Sequence, residues 1–503
     1  MDNCMPFLPR RILGVLFGVT EMLFFGGIMY GFNALYPILK QELIFAYLCE
    51  NKTSTVGCSA QINMYANAFT TYSVLQMVML IVVGLLIDNI GLRIVKIGST
   101  LLYFIGTLMF AFASADVSWL IFPAGCFTCV GGMGMMVCNF SISQLFDATS
   151  VLVLAFITGS YDASSSIFAI VSLTNDAGLS FRTTFIILGV LGTAMGLFSA
   201  TFILTARMPT MSELKKNSKA VVAETYEDSG MESKSSRIAL EENSSHSLDD
   251  IQAQEEEQLE EDLKIENILQ DLHPTQRHSL KSLPFLLVTA YSCCALLRFT
   301  YFLAQLIPQA EDHFQDEVIT ARIGQILSYV LAGGILAGLL CGAVIDKLRA
   351  VFKPQISHLL TYERNEDIDN AIMWLRLLPM SISMLIMIAF ALIISSLVFI
   401  NDERVYYANF FFLVFMRGFL FSSVSSSIIA VFSVAQFGTL YGICGAISGA
   451  FSSLQYALLL PTPKIGNGIA LGIALVMLTP PIIIICKSHQ TKKKALRGAL
   501  LAK

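Results

Sequence analysis

The chain has 503 residues, of which 55% are hydrophobic and 14% charged, with a mean hydropathy of +0.67. Soluble domains carry roughly 25% charged residues, so this composition excludes a soluble globular protein and points to the bilayer. Residues 206–283 hold 17 of the 37 acids and 9 of the 32 bases, so the net charge of −5 reflects one acidic segment, and nothing supplies the basic groove that nucleic acid requires.

A membrane helix needs about 20 apolar residues. Such runs occur near 12–36, 66–87, 94–113, 118–146, 150–173 and 183–205, then near 284–307, 322–345, 375–400, 406–431, 438–460 and 467–486. The expected fold is therefore all-α and polytopic, with twelve transmembrane helices in two six-helix, pseudo-symmetric bundles. The domains are 1–205, an N-terminal bundle; 206–283, an acidic cytosolic linker; 284–486, a C-terminal bundle; and 487–503, a basic cytosolic tail. The first run is too long and too rich in glycine and aromatics for a cleaved signal peptide.

With twelve spans both termini share one side. Arg10, Arg11, Arg93, Lys96, Lys347, Arg349, Lys353, Lys487, Lys492, Lys493, Lys494 and Arg497 are assigned to that side, which the positive-inside rule makes cytosolic. The opposite loop at 37–65 carries the sequon at Asn51 between Cys49 and Cys58, where a glycan and a disulfide are both chemically open. Asn139 and Asn243 also head sequons but fall in a span and on the cytosolic side. Cys126 and Cys129 form a CxxC inside an apolar span without His or a second pair, so no metal is expected. The central segment 206–283, with its run EEEQLEED at 255–262, reads as a solvated linker containing one short helix at most, since it lacks the apolar stripe needed to fix a fold. Its serines, Ser233, Ser235, Ser236 and Ser247, are open to phosphorylation, and the 206–283 loop is the place for a cytosolic regulator.

A repeat links the two halves. GLLIDNIGLR at 84–93 follows the second span and GAVIDKLR at 342–349 follows the eighth, each with Gly four residues before Asp and a base shortly after. The glycine lets helices approach while the charges act at helix ends, and the likeness of this repeat to the major facilitator signature implies that Gly84, Asp88, Gly91, Arg93, Gly342, Asp346 and Arg349 form a candidate gate. This pattern resembles the major facilitator superfamily. EMLFFGGIMYGF, GGMGMMVCNFSISQLF, GSYDASSSIF, RGFLFSS and QFGTLYGICGAISGAFSSLQY are similar to the facilitative large neutral amino acid transporters called small subunits 3 and 4 and their equilibrative nucleobase transporter relative.

The resemblance implies alternating access, with spans 1, 4, 7 and 10 around a central cavity. It also implies sodium-independent facilitative transport of large neutral amino acids at the plasma membrane. Purine nucleobases are the second substrate reading, a proton-coupled carrier is a rival within the class, and a non-transporting receptor or scaffold is a rival outside it. Ionisable groups in spans are costly and normally face a cavity or one another. Glu21, Asp162, Arg298 and Arg417 are therefore candidate substrate contacts, with Arg for a carboxylate and Glu for an ammonium, and Tyr161, Asn139, Ser422 and Ser423 are lesser ones. The competing reading is that the charges pair across the halves to close a gate. Gly26, Gly27 and Gly31 mark either a broken helix at the site or tight helix packing, and Phe24, Phe25 and Phe32 are candidates for the pocket wall. The partners expected are a small-molecule substrate and lipid; no cofactor is expected, and neither a GxxxxGK[ST] loop nor a catalytic set is present.

Overall fold

The computed structural model describes residues 7–49, 58–146, 150–205, 260–314, 317–400, 402–433 and 436–501. Asn51, Asn243 and the four linker serines lie outside them. Among the described residues no strand occurs, and eleven helices are long and apolar enough to cross a membrane, or twelve when one bent pair counts as a single span.

In chain order, spans 1 to 6 are Arg11–Gln41, Ala60–Ile90, Leu92–Ala111, Ser118–Ser143, Leu152–Asn175 and Phe181–Ile203. Span 7 is Leu283–Ile307, and span 8 is the bent pair Arg322–Leu331 and Gly334–Leu360, which turns by 44°. Spans 9 to 12 are Glu366–Leu397, Glu403–Val431, Phe437–Leu459 and Pro463–Gly498. An even number of crossings puts both ends of the described chain on one side, called here the terminal face. In the loop after span 1 a disulfide joins Cys49 to Cys58, with Cα atoms 5.8 Å apart.

Span 1 is not a uniform helix. It runs as α-helix over Phe7–Glu21, as π-helix over Met22–Gly26 and as 3-10 helix over Ile28–Leu35. The break leaves the Gly27 N–H without its intrahelical acceptor, and Ser164 Oγ of span 5 accepts it at 2.7 Å. A side chain at Gly27 would strike the Tyr161 carbonyl, and one at Gly31 the Ser165 carbonyl. These glycines thus serve close packing of span 1 on span 5. Phe25 and Phe32 are buried in the first half against Tyr103 and Tyr72, while Phe24 is largely exposed, so none of the three is a wall of the central site.

Two seams join the halves. Span 2 lies on span 11, where Gly84 meets the Gly438 backbone and Gly442 meets that of Leu80 and Ile81. Span 5 lies on span 8, where Gly159 meets Gly334 and Gly338 meets Ala155. Small residues let backbones approach where lipid supplies no hydrophobic drive for helix association.

Two expectations need correction. Residues 260–272 are helical, and Ile265, Ile268 and Leu269 are buried at i, i+3 and i+4, so this part of the linker does carry an apolar stripe and is docked. The stripe was hidden by the acids around it. Lys96 is not a loop base: it is fully buried in span 3. The basic tail continues as one helix, Thr479–Leu501, and returns to the protein through Lys494 Nζ to Asp367 Oδ1 at 2.8 Å and Lys492 Nζ to Gln355 Oε1 at 2.7 Å.

Candidate functional site

The candidate gate residues meet helix ends. Asp88 Oδ2 accepts from the Thr439 N–H at 2.7 Å and from Thr439 Oγ1 at 2.5 Å, capping the start of span 11 from the other half. One turn earlier, Gly84 permits the contact with Gly438 that brings the carboxylate into reach, which is a physical reason for the four-residue spacing. By pseudo-symmetry Asp346 Oδ2 accepts from the Leu152 N–H at 2.7 Å, capping the start of span 5, and Arg349 Nη1 lies 3.4 Å from Asp346 Oδ1. A carboxylate is favoured at a helix N-terminus, and each cap here crosses from one half to the other. Arg93 serves the opposite pole: its Nε and Nη2 each donate at 3.0 Å, to the carbonyls of Ala200 and Leu204 at the end of span 6. Gly91, with φ of 96°, makes the turn from span 2 to span 3 that a Cβ would strain, and Gly342 is buried in span 8.

Between the halves a second cluster forms. Arg417 Nε of span 10 lies 2.7 Å from Asp162 Oδ1 of span 5, both side chains almost fully buried. The N–H points off that line, and neither terminal nitrogen of the guanidinium has a hydrogen-bond partner among the described residues. Its Cζ stands 4.0 Å from the Tyr30 ring centroid of span 1 and 5.1 Å from that of Phe299 in span 7. Gln76 of span 2 donates from Nε2 to Tyr161 OH at 2.9 Å and to Tyr30 OH at 3.3 Å. Spans 1, 5 and 7 therefore converge with span 10 on one guanidinium, and span 2 holds the tyrosines beside it. One edge of the cation faces a carboxylate, two aromatic rings stand beside it, and its terminal nitrogens are buried without a hydrogen-bond partner among the described residues.

The remaining candidates lie elsewhere. Glu21 Oε2 is 2.5 Å from Lys96 Nζ and accepts from Asn139 Nδ2 at 2.8 Å, while Lys96 Nζ also donates to Asn139 Oδ1 at 2.9 Å. This closed triangle joins spans 1, 3 and 4 inside the first half, and Glu21 Oε1 is left without a partner among the described residues. Arg298 of span 7 turns the corresponding way in the second half, donating from Nε to Ser395 Oγ of span 9 at 2.8 Å, with Cζ 5.7 Å from the Phe302 ring centroid. Ser423 Oγ bonds the Leu420 carbonyl at 3.2 Å, and Ser422 is buried. Sequence reasoning singled out Tyr161, Asp162 and Arg417 of the central cluster and missed Tyr30, Gln76, Phe299, Lys96 and Thr439. Lys96 alone carried a signal, as a lysine three residues inside a span after the gate arginine.

Residues 21–455 match the family model described as Major Facilitator Superfamily. Over 190 residues, 36% of this chain and 39% of the relative, the sequence is 28% identical to equilibrative nucleobase transporter 1 of Bos taurus. Over 176 residues, 32% of each chain, it is 30% identical to large neutral amino acids transporter small subunit 3 of Homo sapiens. The match to these two thus spans less than half of their length. Protein FMP42 of Saccharomyces cerevisiae is 26% identical over 461 residues, covering 86% of this chain and 85% of that one. The fold resembles that of the proton:xylose symporter XylE bound to 6-bromo-6-deoxy-D-glucose, with a TM-score of 0.62 at 11% identity, over 95% of this chain and 96% of that one.

Proposed function

The chain belongs to the Major Facilitator Superfamily and is a multi-pass membrane transporter, and from that premise we propose that it carries large neutral L-amino acids by sodium-independent, facilitative alternating access. One observation supports this reading: Arg417 and Asp162 sit 2.7 Å apart on facing halves, with the terminal nitrogens of the guanidinium buried and without a hydrogen-bond partner among the described residues. A zwitterion presents a carboxylate to such an arginine and an ammonium to such an aspartate, so it replaces one buried ion pair by two without adding net charge. Tyr30, Tyr161 and Phe299 offer apolar surface to the substrate side chain. In this reading Asp162 takes the ammonium, the role that the sequence suggested for Glu21, because Lys96 already neutralises Glu21. The terminal face is cytosolic, the membrane is the plasma membrane, and Asn51 is an external glycan site.

A purine nucleobase is the second reading, favoured by the two aromatic rings beside an arginine that can donate to two acceptors on a purine edge. Uptake of labelled leucine and adenine, each competed by the other, separates the two. Arg417→Gln forfeits a charge-assisted bond of about 1.5 to 3 kcal/mol, roughly ten- to 150-fold in affinity for leucine. Competition by leucinol, which lacks the carboxylate, should weaken far less. Equal loss for leucine and leucinol would make Arg417 a gate residue only, and failure of leucine to compete in the wild type would reject the amino acid reading.

A further inference from the structure

The docked end of the linker meets the gate where the gate is made. The helix at 260–272 is fastened to the second half at both ends: Ser357 Oγ donates to Glu261 Oε2 at 2.9 Å, and Arg364 Nη2 to Asp271 Oδ2 at 2.7 Å. Ile265 borders a cavity of about 200 Å³ with Phe352, Ile356 and Pro379, and Ile268 borders one of about 180 Å³ with Leu359, Ile368 and Ile372, so the helix faces spans 8 and 9. Past it, the chain turns onto the start of span 11. The side-chain amide of Gln436, which precedes that helix, is held at both ends, accepting from Ser279 Oγ at 2.7 Å and donating to the His273 carbonyl at 3.1 Å. Gln276 Nε2 lies 3.4 Å from Thr439 Oγ1, the hydroxyl that bonds Asp88.

We propose that the 260–282 segment is a positioning element of the terminal-face gate: through Gln276, Ser279 and the His273 carbonyl it aims the start of span 11 at Asp88 and favours the closed seam. The argument is one of donors and acceptors. A threonine hydroxyl has one hydrogen and two lone pairs. When Gln276 donates to the oxygen, the hydrogen is left for Asp88, and chained hydrogen bonds polarise and strengthen one another. Because the partners of the segment named above belong to the second half, it travels with that half while Asp88 departs with the first. It therefore acts on the gate only through the geometry of Gln436 and Thr439. This inference rests on alternating access and is independent of the substrate.

The test uses the full chain in cells with Leu80→Cys, a site buried in the seam of span 2 against span 11. Labelling by a permeant maleimide is counted per surface molecule against the same chain without that cysteine. Gln276→Ala should raise labelling roughly two- to tenfold, the effect of one lost hydrogen bond on the open population. Gln276→Glu should raise it further, since a carboxylate cannot donate to Thr439 and repels Asp88. A packing role alone would reduce surface expression without this order. Labelling within about twofold of wild type for both variants, or Glu no greater than Ala, overturns the proposal. If the Gln276 variants fail to reach the surface, Arg364→Ala unhooks the segment away from the gate, and no rise in labelling there overturns it equally. Asp88→Asn is the reference: if it too leaves labelling unchanged, alternating access at this seam falls along with the proposal.

Discussion

At the scale of single residues, the molecule spends its buried charges in two different ways. Asp162 and Arg417 face each other across the halves, where a moving partner or a substrate can separate them. Glu21 and Lys96 are both fully buried within one half, and Asn139 bonds to both, so no rigid-body movement of the halves need disturb them. The triangle sits directly below the π-helical break of span 1, so it pins the lower part of that span while Tyr30, above the break, contacts Arg417. Removing one member of a buried pair strands the other, at about 3 to 5 kcal/mol, whereas removing both leaves only weaker packing. Lys96→Met should therefore lower the thermal stability of the detergent-solubilised protein sharply, and adding Glu21→Gln should restore much of the loss. Additive damage in the double variant would show that the two charges are not coupled. The triangle was not legible in the sequence because Glu21 and Lys96 are 75 positions apart, and their meeting depends on which face each helix turns inward.

At the scale of elements, the twelve spans were legible because a run of about 20 apolar residues is a local property. The two aspartates that cap helix starts of the opposite half were marked by a repeated GxxxD, but their partners, Thr439 and Leu152, were not: they contribute backbone N–H groups, which every residue except proline possesses. The docked linker was obscured for a different reason, since three isoleucine and leucine positions at helical spacing are diluted by charged neighbours. Its turn also carries a titratable group. His273 is buried with its ring 4.9 Å from that of Phe432, and burial, then neighbouring His278, lower its pKa from 6.5 to about 4. The docked segment thus prefers neutral imidazole. Above about pH 6.5 docking is intact; as pH falls from there towards 4, the released segment takes up a proton that the docked one refuses, and docking weakens through that window. Once the intrinsic, base-catalysed rate at each pH is divided out, hydrogen-exchange protection over 260–282 should be lower at about pH 5 than at about pH 7.5, and His273→Phe should flatten the difference. A difference that survives in the variant would assign the pH response to another group.

At the scale of the whole molecule, two halves joined by two glycine-lined seams and two reciprocal helix caps form a structure that can break symmetrically, each Asp releasing a helix start of the opposite half. Its orientation in the membrane can be checked at Asn51: an external glycosidase should shift the mobility of the wild type but not of Asn51→Gln, and a shift surviving in that variant would reject Asn51 as the sole glycan site. The energetics of the cycle follow from charge. Moving one elementary charge through the membrane field is worth about 2.3 kcal/mol per 100 mV. Glu21 with Lys96 and Asp162 with Arg417 are each neutral as pairs, and in the proposed reading a bound zwitterion adds nothing, so among the fully buried charges of the described residues Arg298, fixed to Ser395 inside the second half, is the one outside an ion pair. In the proposed facilitative cycle Arg298 goes out with the loaded carrier and back with the empty one, so a complete cycle would move no net charge. Net leucine flux in vesicles should then follow the leucine gradient alone. It should persist when sodium is replaced, and it should stop at equal concentrations whether the potential is clamped at zero or at about −100 mV. Accumulation beyond that point, collapsing on addition of a protonophore, would mean that a carboxyl group takes up a proton within the cycle. Asp162, the one facing the moving half, would then be the group to replace by Asn and retest.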